Sequence, residues 1–137
     1  MSLIVLDTSV LVAGLLSRRG ASSALVEAVF RDELRVAYSP GILREYADVL
    51  ERPEFAEAIT PNDRIGFMVK LRASGQPVEP AAVPKANWPD MDDLPFVAAA
   101  LTTESKIIVT LNPRDFAPAI AFGVRVLSPS EARRELL

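Results

Sequence analysis

Leu3-Ile4-Val5-Leu6-Asp7-Thr8-Ser9 opens the chain with four consecutive apolar residues that stop at an acid and two hydroxyls. A short apolar run without polar alternation suits a strand covered on both faces, as in a parallel sheet sandwiched by helices. Lys106-Ile107-Ile108-Val109-Thr110 repeats the pattern far downstream, and Arg35-Val36-Ala37-Tyr38 and Val124-Arg125-Val126-Leu127 are further strand candidates, with a short one at Val78. Helical patterns alternate with these. The first covers Val10 to Leu16 and is closed by Arg18-Arg19-Gly20. The second, capped by Ser22 or Ser23, has Leu25, Val26, Val29 and Phe30 as its apolar stripe. Ser39-Pro40 and Ser128-Pro129 each place a capping hydroxyl before a proline whose fixed φ suits the first helical turn. The Ser39-Pro40 helix runs to about Arg52, another spans Pro61 to Ala73, and an alanine-rich one begins at Leu94-Pro95-Phe96 and reaches Thr103. Gly75 to Trp88, with Pro77, Pro80 and Pro84, reads as an extended strap, and Asn112-Pro113-Arg114-Asp115 as a turn. The alternation predicts an α/β protein: a three-layer α/β/α sandwich with a central, mostly parallel sheet.

Composition narrows the chemistry. At 137 residues the chain reads as a single domain over 1–137, and 50% hydrophobic with 24% charged content is enough to build a packed core. Cysteine and histidine are both absent. That excludes disulfides, zinc fingers, cysteine nucleophiles, the Ser-His-Asp triad and a histidine base. A metal would have to be held by oxygen ligands, which favours magnesium, manganese or calcium. A formal charge of −3 argues against a globally basic nucleic-acid binder. Val10 to Leu16 is too short to cross a bilayer and lacks a basic flank, so a cytoplasmic location is expected.

The acids fall where an open α/β sheet binds its ligands, beyond the carboxyl ends of the strands. Asp7 ends one buried strand; Thr110, Asn112 and Asp115 follow another; Asp90, Asp92 and Asp93 begin the helix leading into it. Each has a plain structural use. Asp7 and Asp115 suit turns, and Asp92 or Asp93 suits a helix cap, although one cap accounts for only one of three carboxylates. Glu45 lies about 40° from Val49, on the border of its helix's apolar arc rather than on the solvent face. Two carboxylates about 4 Å apart repel by about 4 kcal/mol at an effective dielectric of 20, so several facing one cleft call for a cation.

Four segments carry a family resemblance. They are Val5-Leu6-Asp7-Thr8-Ser9-Val10-Leu11-Val12; Ser39-Pro40 with Leu43-Arg44-Glu45-Tyr46; Asp90-Met91-Asp92-Asp93-Leu94-Pro95-Phe96 with Ala98-Ala99-Ala100-Leu101; and Val109-Thr110-Leu111-Asn112-Pro113-Arg114-Asp115-Phe116. In this order and spacing they resemble the PIN-domain ribonucleases, nearest to VapC-like toxins of toxin–antitoxin pairs. Ser9 stands where many relatives have Asn, and Leu94 where an acid is common.

The resemblance implies catalytic and metal-holding acids at Asp7, Glu45, Asp93 and Asp115, with Asp92 able to exchange roles with Asp93. Asp90, Thr8, Thr110 and Asn112 would support them. It further implies one or two Mg²⁺ or Mn²⁺ ions, RNA cleavage to 5′-phosphate and 3′-hydroxyl ends, a homodimer and an antitoxin partner. Arginines at 18, 19, 44 and 114 are candidates for gripping RNA, with ordinary solvated arginines the competing reading. In the Pro61 to Ala73 helix, Ile65, Phe67, Met68 and Leu71 suit core packing first and a partner contact second. Two other functions compete. A phospho-aspartate phosphotransfer domain fits Asp7 at a strand end but lacks an acid at residue 9; a non-cleaving RNA- or protein-binding module would be expected to lose some of the four acids.

Overall fold

The computed structural model describes residues 2–137. Among these, the strands are β1 (Leu3–Leu6), β2 (Arg35–Tyr38), β3 (Gln76–Pro77), β4 (Ile107–Val109) and β5 (Arg125–Leu127). All pair in parallel in the order β3-β2-β1-β4-β5. Parallel neighbours require crossovers. These are supplied by α1 (Thr8–Leu16), α2 (Ala21–Phe30), α3 (Pro40–Leu50), α4 (Pro61–Ser74) and α5 (Leu94–Thr102), and between β4 and β5 by a 3₁₀ helix (Pro113–Phe122); α6 (Pro129–Leu136) follows β5. The result is the three-layer α/β/α sandwich, with a sheet that is parallel throughout.

β1 lies in the middle, and Ile4, Val5 and Leu6 are fully buried. Each such burial contributes about 1.5–3 kcal/mol. From β1 the chain builds outward to β2 and β3, then returns to the other side of β1 for β4 and β5. Strand order therefore reverses between β1 and β4, the position at which open α/β sheets form a ligand crevice. Tyr46 of α3 is buried between Phe67 and Phe96, each ring centroid 6.1 Å away, and its hydroxyl donates to the Leu6 carbonyl at the end of β1. α1 and α2 approach closely because Gly14 has no side chain. A Cβ there would collide with Val26 and stand 2.8 Å from the Ser22 carbonyl oxygen.

Four local expectations are corrected. α1 starts at Thr8 rather than Val10, with extended Asp7 at its N-cap and the Asp7 carbonyl accepting from Val10 at 3.0 Å. α2 starts at Ala21 from Gly20, whose φ of +94° suits glycine, so Ser22 and Ser23 lie inside the helix and cap nothing. The strap pairs with β2 at Gln76–Pro77, just before Val78, whose N–H still donates to the Tyr38 carbonyl at 2.9 Å. Asn112 to Asp115 is not a simple turn but leads into a 3₁₀ helix, Pro113–Phe122. Pro118 has no N–H to give an α-helical ladder, while buried Phe116 and Ala119 repeat at three residues, the period of the tighter helix.

Candidate active site

The two strands at the reversal end in polar residues that hold one another. The Asp7 N–H donates to the Val109 carbonyl at 2.9 Å. Asp7 Oδ2 accepts from Ser9 Oγ at 2.6 Å and Thr110 Oγ1 at 2.7 Å. Thr110 Oγ1 in turn accepts from the Asn112 N–H at 2.9 Å, and Ser9 Oγ accepts from the Leu111 N–H at 3.2 Å. The hydroxyls thus tie the end of β1 to the end of β4 and orient the Asp7 carboxylate. Thr103 secures the entry to β4, donating to Ala100 at 2.8 Å and accepting from the Lys106 N–H at 3.1 Å.

Three more elements deliver acids to the same place. Ser39 Oγ caps α3 by accepting from the Ile42 N–H at 3.3 Å, which orients the helix carrying half-buried Glu45. A 3₁₀ turn over Met91–Asp93 precedes α5 and brings in Asp93. The first turn of the Pro113–Phe122 helix brings in Asp115. Asp7, Glu45, Asp93 and Asp115 all line one cleft of about 400 Å³, with Asp90, Asp92, Thr8 and Asn112 also on its walls. Asp90 acts as the cap here, its Oδ1 accepting from the Asp92 N–H at 2.9 Å. Asp93 occupies the N-cap position of α5, one of the two positions expected from sequence, but its carboxylate makes no capping hydrogen bond. Asp92 is exposed and Asp93 is the more interior.

The electrostatics follow from this crowding. Burial pushes the Asp93 carboxyl up to about 7, reinforced by Asp7, Asp90, Asp115 and Glu45. Burial likewise raises Asp7, against the lowering effect of the Ser9 and Thr110 hydroxyls and with a further push from Asp115. Glu45 is raised by burial first and then by Asp92 and Asp48. Six carboxylates and one guanidinium line the cleft. The buried Thr8 hydroxyl on the same wall has no protein partner.

A hard divalent cation fits this all-oxygen donor set and its excess negative charge. Among the described residues, however, no three acids approach closely enough to share an ion as the side chains stand. Mutual repulsion favours separated rotamers, so ligation requires side-chain rotation.

None of the four arginines singled out from the sequence lines this cleft. Arg44 borders a neighbouring hollow with Glu45 and Asp92, and Arg18 a hollow beside α1 and α2. Arg19 and Arg114 are exposed, the latter one residue before Asp115. Arg52, which the sequence reading passed over as a helix end, does line it. Its spacing of seven residues from Glu45 in the expected helix is the signal that would find it, although α3 ends at Leu50 and Arg52 itself is extended.

The PIN-domain family profile matches residues 3–114, most of the chain. The protein belongs to the PIN-domain family, whose fold is that of nucleases. The matched stretch contains Asp7, Glu45 and Asp93 and stops one residue short of Asp115. No curated protein matches the chain. No helix among the described residues is long and apolar enough to cross a membrane.

Proposed function

We propose that this protein is an endoribonuclease that hydrolyses RNA phosphodiesters with Mg²⁺ or Mn²⁺ and acts as the toxin of a toxin–antitoxin pair. One observation carries the nuclease reading: acids from four separate segments line a single cleft at the β1–β4 reversal of a PIN domain. Asp7, Glu45 and Asp93 would hold a first ion, with Asp115 supporting a second ion or the water. When bound, the ion supplies Lewis acidity and a more acidic water, the chemistry that phosphodiester hydrolysis needs at neutral pH.

The chain's own groups prepare the cleft for that role. Ser9 and Thr110 hold Asp7 Oδ2, leaving Oδ1 without a hydroxyl donor. Burial and the neighbouring acids push the Asp93 carboxyl up to about 7, so a cation bound there competes with a proton. The Asn112 N–H fixes Thr110 behind Asp7.

Asp7→Asn tests the reading directly. The purified variant, assayed on RNA with Mg²⁺ or Mn²⁺, should lose cleavage by at least two orders of magnitude while keeping its fold. Wild-type rates in that variant overturn the assignment.

The partner proposals, an antitoxin and a second copy of the chain, draw support from α4. Phe67 and Leu71 are buried in the core, while Ile65 and Val69 remain 57% and 62% exposed beside an apolar hollow against α3.

A further inference from the structure

The acid-lined cleft has a second half that cation binding does not explain. Val12 lies one turn beyond Thr8 on α1, and Val49 one turn beyond Glu45 on α3, and both line the cleft. Past Val49 the wall continues with Arg52 and Phe55. Pro53 restricts Arg52 to extended backbone (φ −61°, ψ 137°), which stops α3 and starts the 3₁₀ turn Pro53–Phe55. The Arg52 carbonyl accepts from the Phe55 N–H at 3.0 Å, and the Phe55 carbonyl accepts from the N–H of buried Ile59 at 2.8 Å. These backbone bonds fix the turn that carries both side chains to the cleft wall.

Both groups are available. Arg52 is the only cationic side chain lining the cleft among the described residues. Its sole ion pair is a long one, 3.8 Å to exposed Asp48, with half of the arginine side chain open to solvent. Such a surface pair contributes little and is readily exchanged for a better partner. Phe55 is half-buried: it packs against the core and lines the cleft.

A bare ion would need neither an arginine nor an aromatic wall. An apolar ligand would be repelled by the acids. An anion linked to a flat aromatic group satisfies both features: the planar guanidinium suits a phosphate, and the ring face suits a nucleobase. A base can lie on Phe55 only when it is free of its own stack and pair, which an A-form duplex does not permit.

We propose that Arg52 and Phe55 form the substrate grip of this cleft, Arg52 binding a phosphate that flanks the scissile one and Phe55 stacking an unpaired base. This rests on the nuclease reading above and deepens it.

The test measures cleavage in Mn²⁺ and binding by fluorescence anisotropy in Ca²⁺, using a short single-stranded oligoribonucleotide, copies carrying one abasic site at successive positions, and a blunt RNA duplex. Arg52→Ala should raise KM and Kd about tenfold with kcat little changed, and flatten the dependence of log Kd on log salt by about 0.7. Arg52→Lys should restore part of the affinity. Phe55→Leu, which keeps apolar volume and fold, should weaken binding by about 5- to 100-fold, and Phe55→Tyr should match wild type. One abasic position should weaken wild type but not Phe55→Leu. Stabilisation by Mn²⁺ should be no weaker in any of the four variants, since neither residue is proposed to hold the ion and loss of Arg52 only adds net negative charge to the cleft.

Unchanged Kd and salt slope in Arg52→Ala, an abasic penalty that persists in Phe55→Leu, a loss confined to kcat, or equal cleavage of the duplex each overturn the proposal. A wild-type protein that neither cuts nor binds any of these RNAs overturns the nuclease reading and this grip together.

Discussion

Asp93→Asn should stabilise the metal-free protein while removing its response to metal. In the fold the Asp93 carboxyl is pushed up to about 7 by burial and by Asp7, Asp90, Asp115 and Glu45, against a reference of 3.8. Between those pH values the folded state binds a proton that the unfolded state has released. Stability therefore falls as pH rises through this window, and the cost is fully present above pH 7. The whole displacement would correspond to about 4 kcal/mol at 1.4 kcal/mol per pH unit, but the carboxyl is partly open to solvent, and screening reduces this to about 1 kcal/mol. The amide is isosteric and uncharged, so it should return about that amount at pH 8 and almost nothing at pH 4. For a domain of this size the gain corresponds to a Tm higher by roughly 3–5 °C. Thermal unfolding in EDTA at pH 4 to 8 measures it, and a parallel series in millimolar Mn²⁺ should raise the Tm of wild type but not of the variant. A variant less stable than wild type at pH 8, or a Tm difference that does not change with pH, would refute the picture of a cleft strained by its own charge.

Thr110→Val keeps the volume of a fully buried side chain but removes the hydroxyl that donates to Asp7 and accepts from Asn112. It should cost about 2 kcal/mol and lower RNA cleavage ten- to a hundredfold, measured by denaturant unfolding and a cleavage assay. Gly14→Ala forces a methyl group into Val26 and the Ser22 carbonyl, so urea unfolding should show a loss of about 1–3 kcal/mol despite alanine's better helix propensity. Ile65→Asp with Val69→Asp should leave stability within about 0.5 kcal/mol because both residues are exposed, while light scattering should show any dimer shifted to monomer. If the dimer persists, the α4 surface is not the subunit contact.

The layered fold was legible because its signals are local and redundant. The apolar runs Leu3–Leu6 and Ile107–Val109 gave the buried strands, and Ser39-Pro40 and Ser128-Pro129 gave helix starts accurately. The Pro113–Phe122 helix was hidden because its prolines signal a break, whereas its three-residue period is recognisable only once Phe116 and Ala119 are seen packed. The carboxylates were legible as a set, since each follows or precedes a recognisable element. Which of Asp92 and Asp93 faces inward was not, because one residue of rotation in a 3₁₀ turn decides it. The arginines illustrate the other limit. Nearness in sequence favoured Arg18, Arg19, Arg44 and Arg114, but the cation in the cleft, Arg52, arrives from just past the end of α3, seven residues after Glu45.

The hydrogen bond from Thr110 to Asp7 joins residues 103 positions apart. The segment that completes the middle of the sheet is thus made late, and until it docks β1 has an unsatisfied edge. Such a topology has a high contact order and is expected to fold slowly, with a sticky apolar strand exposed in the meantime. A growing or truncated chain that stops before β4 has no assembled cleft, so catalytic competence arrives as a single late event rather than accumulating with length.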